Sequence, residues 1–421
     1  CVAVIAAAEF VPAIEKVRDA LPRLRNLIVM GADYETGIAA ASPERDFSGR
    51  SGDDRYIIYT GGTTGMPKGV VWRHEDIILG AMNSARQNRP IERIEVLGEE
   101  AAASPFHARL MSIGPMMHGG GQWIMGNAIV SGGALVLYTK PRFDPHDVWT
   151  LTAEAKVNSL STIGDAMARP LAEALLVEGR PQYDLSMLFA IGNGGAPLSS
   201  GVREQIRAAL PNVAILDSFG ASETGAAGAR PDDGSAMSSP KFQTGPDTTV
   251  LSDDGRVCEV GEVGKLARSG NIPLEYYKDP EKSAATFRTF GGKRWVIPGD
   301  FAQIEPDGMI TLLGRGSVCI NSGGEKIYPE EVEAALKQHP DIFDAVVVGT
   351  PNARWGEQVT ALVQLRDGTS PDIDDIVRHS RTLVADYKSP KAVLFVPQVV
   401  RTPVGKADYQ WAKAEALRLL A

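Results

Sequence analysis

Cysteine is scarce in this chain, and its scarcity excludes several classes of protein. The 421 residues contain three cysteines, Cys1, Cys258 and Cys319. They are too few and too widely spaced for a disulfide framework or a zinc cluster. The six histidines show no ligand spacing that would build a zinc motif either. We therefore expect a cytoplasmic protein that works in a reducing environment.

Long apolar runs and an excess of positive charge are also missing. No stretch approaches the ~18 uninterrupted apolar residues that indicate a membrane helix, so no membrane span is expected. The net charge is -9 and no long basic run occurs, which argues against nucleic acid as a partner. The opening CVAVIAAAEF has no basic residue. We therefore interpret it as an interior strand of an N-terminally incomplete protein, not as a signal peptide.

The patterns that are present predict an α/β fold. Up to about residue 240, short apolar runs alternate with helical patterns, which predicts a large domain of sheets flanked by helices. The runs SLSTIG, LFAIGNGG and NVAILDSFG end in small residues, at the strand ends where open α/β sheets bind ligands. Beyond them, short strands with turn signals predict a β-rich subdomain. Within it, FAQIEPDGMITLLGR reads as a hairpin turned by Pro306-Asp307-Gly308.

The C-terminal part predicts a small α+β domain. It carries the helical patterns YPEEVEAALKQ and DIDDIVRHSRTLV, the strand patterns DAVVVGTP, QVTALVQL and AVLFVP, and a terminal helix. The most economical boundary follows Gly314. Residues 1–314 would then form the large domain and residues 315–421 the small one.

The stretch YTGGTTGMPKGVV, residues 59–71, carries the strongest chemical signal. Its glycines let the backbone approach a phosphate and present N–H groups, its threonines add hydroxyl donors, and its lysine adds a charge. These residues are Thr60, Gly61, Gly62, Thr63, Thr64, Gly65 and Lys68. We place the loop between a buried strand and a helix; a flexible surface turn is the simpler alternative. A Walker A loop of a kinase or NTPase is excluded because Gly69 stands where Ser or Thr is required.

The loop resembles the ATP-phosphate loop of the adenylate-forming superfamily, which includes acyl-CoA synthetases, luciferases and peptide-synthetase adenylation domains. From Thr60 to Gly69 it satisfies every position of Ser/Thr-Ser/Gly-Gly-Thr/Ser-Thr-Gly-x-Pro-Lys-Gly. The segment GGAPLS, residues 194–199, resembles the family's adenine-side segment. The resemblance implies that Gly195, Ala196 and Pro197 contact the nucleotide and that Gly194 borders the substrate.

Two more segments follow in the family's order. DSFGASETG, residues 217–225, resembles the motif in which an aromatic residue stacks on adenine. It implies nucleotide contacts for Phe219, Gly220 and Ser222, and binding of Mg²⁺ by Glu223. Taken alone, Phe219 would be read as a core residue. PGDFAQIEPDGMITLLGR implies that Asp300 holds the ribose hydroxyls and that Arg315 contacts the nucleotide.

The small domain carries two family-like segments and one departure. NSGGEKIYPEEVE resembles the segment that lines the CoA tunnel, which implies that role for Ser322, Gly323 and Gly324. RTPVGKADY resembles the catalytic-lysine motif and implies that Lys406 reaches the substrate carboxylate and the α-phosphate. Relatives commonly read Gly-Arg-x-Lys-Asp at the hinge between domains, whereas this chain reads GRGSVCI, so the hinge position stays open.

The segment PMMHGGGQW lies where relatives close over the acyl group, which implies substrate contacts for His118 and Gly119; a structural histidine is the alternative. Methionines around His118 suggest an adaptable apolar pocket or ordinary core filling. MMHGGGQW, together with the first loop, resembles the actinobacterial fatty-acyl and steroid side-chain CoA ligases. A medium-chain, long-chain or bulky steroid side-chain acid is therefore expected.

The resemblance implies an ATP-dependent acyl-CoA synthetase. The acid and ATP would give acyl-AMP and pyrophosphate, and CoA would then give acyl-CoA and AMP. Lys406, Glu223 and Thr63 would be catalytic, Mg²⁺ would bind Glu223, the small domain would be mobile, and a homodimer is possible. Two alternatives remain: an adenylation enzyme that loads a carrier protein, and a nucleotide-binding relative that no longer catalyses.

Overall fold

The structure is a computed structural model. It describes residues 2–44, 49–60, 67–83, 91, 93–140, 142–179, 181–230, 241–322, 325–402 and 405–421. The chain divides into two compact units, Cys1–Ser51 and Gly52–Ala421. In the smaller unit, strands β1 (Ala3–Ala6) and β2 (Asn26–Val29) pair in parallel, and helices α1 (Val11–Glu15) and α2 (Ala32–Ala40) follow them.

The larger unit contains the remaining elements. Its helices are α3 (His74–Gly80), α4 (Glu95–Ala103), α5 (Gly119–Val130), α6 (Pro145–Glu154), α7 (Gly164–Leu176), α8 (Ser200–Ala209), α9 (Pro280–Thr286), α10 (Pro329–Leu336), α11 (Ile373–Arg381) and α12 (Tyr409–Leu420). Its strands are β3 (Arg55–Thr60), β4 (Lys68–Arg73), β5 (Arg109–Ser112), β6 (Ala134–Leu137), β7 (Ser159–Thr162), β8 (Ala190–Gly194), β9 (Ala214–Ala221), β10 (Gly225–Arg230), β11 (Lys241–Thr244), β12 (Thr248–Leu251), β13 (Val263–Arg268), β14 (Glu275–Tyr276), β15 (Phe287–Phe290), β16 (Lys293–Val296), β17 (Asp300–Ile304), β18 (Ile310–Arg315), β19 (Ile320–Ser322), β20 (Glu325–Ile327), β21 (Ile342–Asn352), β22 (Gly356–Leu365) and β23 (Ala392–Phe395).

The parallel α/β part that the sequence predicts is confirmed. Strands run in the order β6-β5-β7-β8-β9, and each neighbouring pair is parallel. Parallel neighbours need crossover connections, and helices α5 to α8 lie between these strands in the chain. The core beneath them joins Met111 of β5, Trp149 of α6, Leu160 of β7, Leu171 of α7 and Ile215 of β9. This packing aligns the carboxyl ends of β7, β8 and β9 at one edge.

Beyond β9 the same sheet becomes antiparallel. The order continues β10-β11-β18-β17-β13-β16-β15, with β12 beside β13. The predicted hairpin is confirmed, because β17 and β18 pair with Ile304 opposite Ile310. Its turn contains Gly308 at φ +81°, a left-handed conformation that favours glycine, and the Met309 amide donates to Asp307 Oδ1 at 3.0 Å.

The predicted position of the Gly-rich loop between a strand and a helix is wrong. Strands β3 and β4 pair antiparallel with Thr60 opposite Lys68, so the loop connects the two strands of a hairpin. The apolar run after the loop forms a strand because its valines suit a pleated surface and its tryptophan is buried. Strand β14 extends this sheet and places Tyr276 opposite Val70. Helix α3 begins only at His74.

The predicted elements of the C-terminal part are confirmed. Strands β20-β19-β22-β21 are antiparallel, β23 joins β22 in parallel, and helices α10, α11 and α12 pack against them. The apolar side chains of α10 and α11 bury one face of this sheet and those of α12 the other. The domain boundary after Gly314 stays a prediction. In the part of the chain that the structure describes, no helix has the length and apolarity needed to cross a membrane.

Candidate functional site

The predicted phosphate loop is anchored at both ends by the β3–β4 hairpin. Thr60 and Lys68 face each other across its strands, and Tyr277 N–H donates to the Gly69 carbonyl at 2.7 Å. The residues Gly61, Gly62, Thr63, Thr64 and Gly65 lie outside the described residues. A Cβ at Gly69 would lie 3.1 to 3.2 Å from Ile57, Tyr59 and Tyr277. Glycine therefore lets the strand after Lys68 pass between these side chains.

Glu223 and Ser222 lie in the turn between β9 and β10, and each accepts a hydrogen bond from an aromatic side chain of the sheet formed by β3, β4 and β14. The Tyr276 hydroxyl donates to Glu223 Oε1 at 2.8 Å, and Lys68 Nζ lies 5.0 Å from the centre of the Tyr276 ring. Trp72 Nε1 donates to the Ser222 carbonyl at 3.0 Å. The structure thus brings together three predicted site residues, Lys68, Ser222 and Glu223. It adds Tyr276 and Trp72, which could not be predicted from the sequence because no short motif contains them.

The half-buried Arg268 guanidinium holds the turn that carries Glu223. Arg268 Nη1 donates to the carbonyls of Gly80, Thr224 and Ala226, the first at 3.0 Å and the last at 2.7 Å. Burial lowers the pKa of Arg268 to about 10, even though Asp247 acts in the opposite direction. One side chain of β13 therefore joins the end of α3 to the residues that follow Glu223.

Hydrogen bonds of the Asn193 side-chain amide hold the end of β8, from which the GGAPLS segment continues. Asn193 Nδ2 donates to the Ala196 carbonyl at 3.1 Å and to Asp217 Oδ1 at 3.2 Å. Gly164 N–H donates to Asn193 Oδ1 at 2.7 Å. Asp217 also pairs with the buried Arg203 guanidinium. These hydrogen bonds connect the end of β8 to β9 and to the start of α7. They therefore fix the position at which the GGAPLS segment leaves β8.

The nucleotide residues predicted along β8 and β9 lie at this edge. A Cβ at Gly194 would lie 3.0 Å from Ser218 Oγ, while Gly195 adopts φ +78° and Pro197 is exposed. The half-buried Phe219 ring packs edge-on against Phe242 with centroids 4.7 Å apart. Part of the Phe219 ring therefore packs in the hydrophobic core, and its stacking on adenine stays a prediction.

Gly220 lies where a side chain could not be accommodated. A Cβ there would approach the Gly225 carbonyl oxygen to 2.1 Å, so the strand pair β9–β10 requires glycine at this position. Along β17 and β18, Asp300 and Arg315 are direct backbone partners. Their contacts with the ribose and the nucleotide stay a prediction.

Lys406 follows a tight turn in the C-terminal part. Arg401 forms a two-bond ion pair with Asp344, at 2.7 and 2.6 Å, and donates to the Gly405 carbonyl at 3.2 Å. Gly405 adopts φ +77°, and a Cβ there would lie 3.3 Å from Ala166 Cβ of α7. The turn that carries Lys406 is therefore held from within the C-terminal part and lies against α7.

Lys406 lies close in space to two predicted site residues, Gly195 and His118, that are distant from it in the sequence. A Cβ at Gly195 would lie 3.8 Å from Lys406 Cε. Burial and the positive charge of Lys406 lower the pKa of His118. His118 is the N-cap residue of α5, and Gly119 follows it where a Cβ would lie 2.5 Å from the Trp123 ring.

The methionines around His118 do not together line one pocket. Met111 is fully buried in the core beneath the parallel sheet, whereas Met117 is 71% exposed. On the CoA side, Ser322 ends β19, opposite Glu325 of β20 and Gly356 of β22. Gly323 and Gly324 lie outside the described residues.

Comparisons with known proteins identify the family of the chain. A sequence profile described as AMP-binding enzyme matches residues 1–277, and one described as AMP-binding enzyme C-terminal domain matches residues 331–406. The chain is 49% identical over 393 residues to 3-oxocholest-4-en-26-oate–CoA ligase of Rhodococcus rhodochrous, covering 91% of this chain and 70% of that protein. It is 47% identical, with the same coverage, to a medium/long-chain-fatty-acid–CoA/3-oxocholest-4-en-26-oate–CoA ligase of Mycolicibacterium smegmatis.

A solved structure shares the fold. The anthranilate CoA ligase AuaEII in complex with anthranoyl-AMP matches with a TM-score of 0.82 at 23% identity, covering 100% of this chain and 79% of that one.

Proposed function

The chain belongs to the AMP-binding enzyme family and is an acyl-CoA synthetase that uses ATP and CoA, and we propose that its acid has a large apolar body. The proposed reaction forms acyl-AMP and pyrophosphate first and acyl-CoA and AMP second. The relatives named above act on a steroid side-chain acid and on medium- or long-chain fatty acids. Their identity to this chain supports the same class of acid here.

The observation that carries the residue assignment is the position of Lys406. Its side chain reaches Gly195, and its charge acts on His118, although the three residues come from separate parts of the chain. The turn before it is held by the Arg401–Asp344 ion pair. In this arrangement a cation faces the strand edge at which the nucleotide is proposed to bind.

The chemistry explains why a cation is needed there. A carboxylate that attacks the α-phosphate of ATP is an anion approaching an anion, so catalysis consists mainly of positioning and charge neutralisation. In the proposed mechanism Lys406 neutralises the charge that develops between the acid and the α-phosphate. Lys68, with Thr63 and the backbone of the loop, holds the departing pyrophosphate. His118 stays neutral near pH 7 because its pKa is lowered, so it can border the acyl group without adding a charge.

The surroundings of Glu223 fit a bound Mg²⁺. Mg²⁺ is usually held by one or two carboxylates together with the phosphates of the substrate. Within the described ranges no group of three or more His, Cys, Asp or Glu side chains could hold a metal ion by itself. Glu223 is a buried carboxylate oriented through Oε1 by Tyr276, so it can act as the protein ligand. The ion would supply positive charge to the phosphates.

The remaining assignments follow the same site. Phe219, Gly220 and Ala196 would border adenine, Asp300 and Arg315 the ribose, and Ser322 with the two glycines after it the CoA arm. A homodimer and a cytoplasmic location remain proposals.

The experiment that tests the proposed function is an AMP-release assay over a panel of carboxylic acids, with and without CoA. The panel includes acetate, an amino acid, octanoate, palmitate and a steroid acid with a carboxylated side chain. We expect CoA-dependent AMP release with the apolar acids. Turnover of acetate or the amino acid alone would overturn the acid class. Pyrophosphate release without CoA-dependent AMP release would favour loading of a carrier protein, and no pyrophosphate release with any acid would favour the noncatalytic alternative.

A further inference from the structure

Three charged residues lie on one face of α7, and each contacts the C-terminal part. Asp165, Arg169 and Glu173 are spaced four residues apart, which places their side chains in one row along a helix. Asp165 Oδ2 lies 3.8 Å from Lys337 Nζ, and the Arg169 guanidinium lies 5.2 Å from the centre of the Phe343 ring. We call the three residues the docking row.

The third member of the docking row makes a looser contact. Glu173 Oε1 lies 3.9 Å from Arg366 Nη1, and both side chains are more than one third exposed. By contrast, Asp165 and Lys337 are almost completely buried, with 7% and 5% of their side chains exposed. The docking row therefore has a buried end at Asp165 and a solvent-exposed end at Glu173.

The buried end of the docking row is hydrogen-bonded to the proposed nucleotide site. Asp165 Oδ1 accepts a hydrogen bond of 2.7 Å from Ser199 N–H, at the end of the GGAPLS segment. The residue after it, Ala166, lies against Gly405, one position before Lys406. Burial raises the pKa of Asp165, but the charges of Lys337 and Arg169 and the Ser199 amide outweigh burial and hold it below its ordinary value. Asp165 is therefore ionised while Lys337 is docked beside it.

We propose that the docking row positions the C-terminal part, and with it Lys406, for the adenylation half-reaction. This inference rests on the proposed function. Asp165, Lys337 and Glu173 act as positioning residues, because their contacts hold the turn of Lys406 against α7. When CoA has to react, these contacts break. Asp165 then keeps Arg169 as its partner at 3.4 Å, so release of Lys337 does not leave an isolated buried charge.

The test separates the two half-reactions in the full chain. The first is measured as ATP–pyrophosphate exchange with an acid that the wild type accepts. The second is measured as thioester formation from a synthetic acyl-adenylate and CoA. Lys337→Met keeps the length of the side chain and removes its charge. We expect exchange to fall at least about tenfold, as loss of a buried charge partner predicts, while thioester formation stays within about twofold of wild type. Lys337→Arg should recover most of the exchange because it keeps the charge.

Two further variants separate docking from folding. Glu173→Gln, at the exposed end, should lower exchange about twofold to threefold without lowering thioester formation, as expected for a weak surface pair. Lys388→Met is the matched control, because its ion pair with Glu331 at 2.7 Å lies within the C-terminal part. It should change both half-reactions by the same factor.

The ratio of exchange to thioester formation decides the outcome. A ratio that falls in Lys337→Met and in Glu173→Gln supports the proposal, and an unchanged ratio in both overturns it. If Lys337→Met does not fold, the ratio in Glu173→Gln decides alone. A wild type that lacks both half-reactions would instead contradict the proposed function.

Discussion

The Tyr276 hydroxyl donates a hydrogen bond of 2.8 Å to Oε1 of Glu223, although 53 positions separate the two residues in the sequence. The bond joins strand β14, which extends the sheet of the phosphate-loop hairpin, to the turn that carries the proposed Mg²⁺ ligand. Because Lys68 lies over the same Tyr276 ring, one aromatic side chain contacts both the cationic and the anionic member of the site. The loop and the acidic residue are therefore positioned as a unit.

Tyr276→Phe should weaken this unit without removing any proposed ligand. The variant leaves a buried carboxylate oxygen without its donor, which should lower the free energy of unfolding by about 2 kcal/mol. Glu223 would then be less well oriented, so the Mg²⁺ concentration that gives half-maximal pyrophosphate release should rise several-fold. A Mg²⁺ titration measures this change. Tyr277→Phe is the control, because Tyr277 is 46% exposed and should leave the titration unchanged. An unaltered Mg²⁺ dependence in Tyr276→Phe would refute the orienting role.

The pKa of His118 should report the proximity of Lys406. Burial and the Lys406 charge both lower the pKa of His118, so Lys406→Gln should raise it towards its ordinary value of 6.5. The titration of the imidazole Cε1 proton in NMR spectra measures the change. Lys413→Gln is the control, since it removes a cation from the same C-terminal part. If the two variants give the same His118 titration, Lys406 does not lie beside His118 in solution.

The same shift has a consequence for stability. A histidine whose folded pKa lies below its unfolded pKa binds protons more readily when unfolded. Its contribution to stability is therefore complete above the unfolded pKa of about 6.5 and is lost as the pH falls through that value towards the folded pKa. His118→Gln should reduce the loss of stability between about pH 6.5 and pH 5, measured by urea unfolding at several pH values. An identical pH dependence in wild type and variant would contradict this account.

Arg268→Met should destabilise the turn after Glu223. The variant removes three hydrogen bonds from one guanidinium to the carbonyls of Gly80, Thr224 and Ala226. Loss of three hydrogen bonds to buried or half-buried carbonyls should lower the free energy of unfolding by about 3 kcal/mol, which urea unfolding measures. Arg256→Met is the control, because Arg256 pairs with Glu262 on the surface and should cost less than about 1 kcal/mol. Equal costs for the two variants would show that Arg268 does not hold the turn.

Periodicity and turn chemistry were sufficient to predict much of the fold. The strands and helices of the C-terminal part follow their apolar patterns, because buried positions recur at the spacing of each element. The β17–β18 hairpin follows from its Pro-Asp-Gly turn. The β3–β4 hairpin was missed because a short apolar run such as GVVW has no period that distinguishes a strand from the start of a helix. This run becomes strand β4 because it pairs with β3 and β14.

The site was predictable only where a motif carried it. Lys68, Glu223 and Lys406 stand in recognisable segments, but nothing in those segments shows that Lys406 reaches Gly195. Tyr276 and Asp165 have no motif around them. Their importance arises from contacts with residues more than 50 positions away, which no local pattern encodes. For the same reason the methionines near His118 could not be assigned to core or pocket from spacing alone.

In the proposed mechanism, Lys406 catalyses formation of the acyl-adenylate. The most direct measurement is ATP–pyrophosphate exchange by Lys406→Ala with an acid that the wild type activates, together with ATP binding by calorimetry. We predict that exchange falls by at least about 100-fold, as for loss of a group that stabilises transition-state charge, while ATP binding stays close to that of the wild type. Exchange by Lys406→Ala at the wild-type rate would contradict the account.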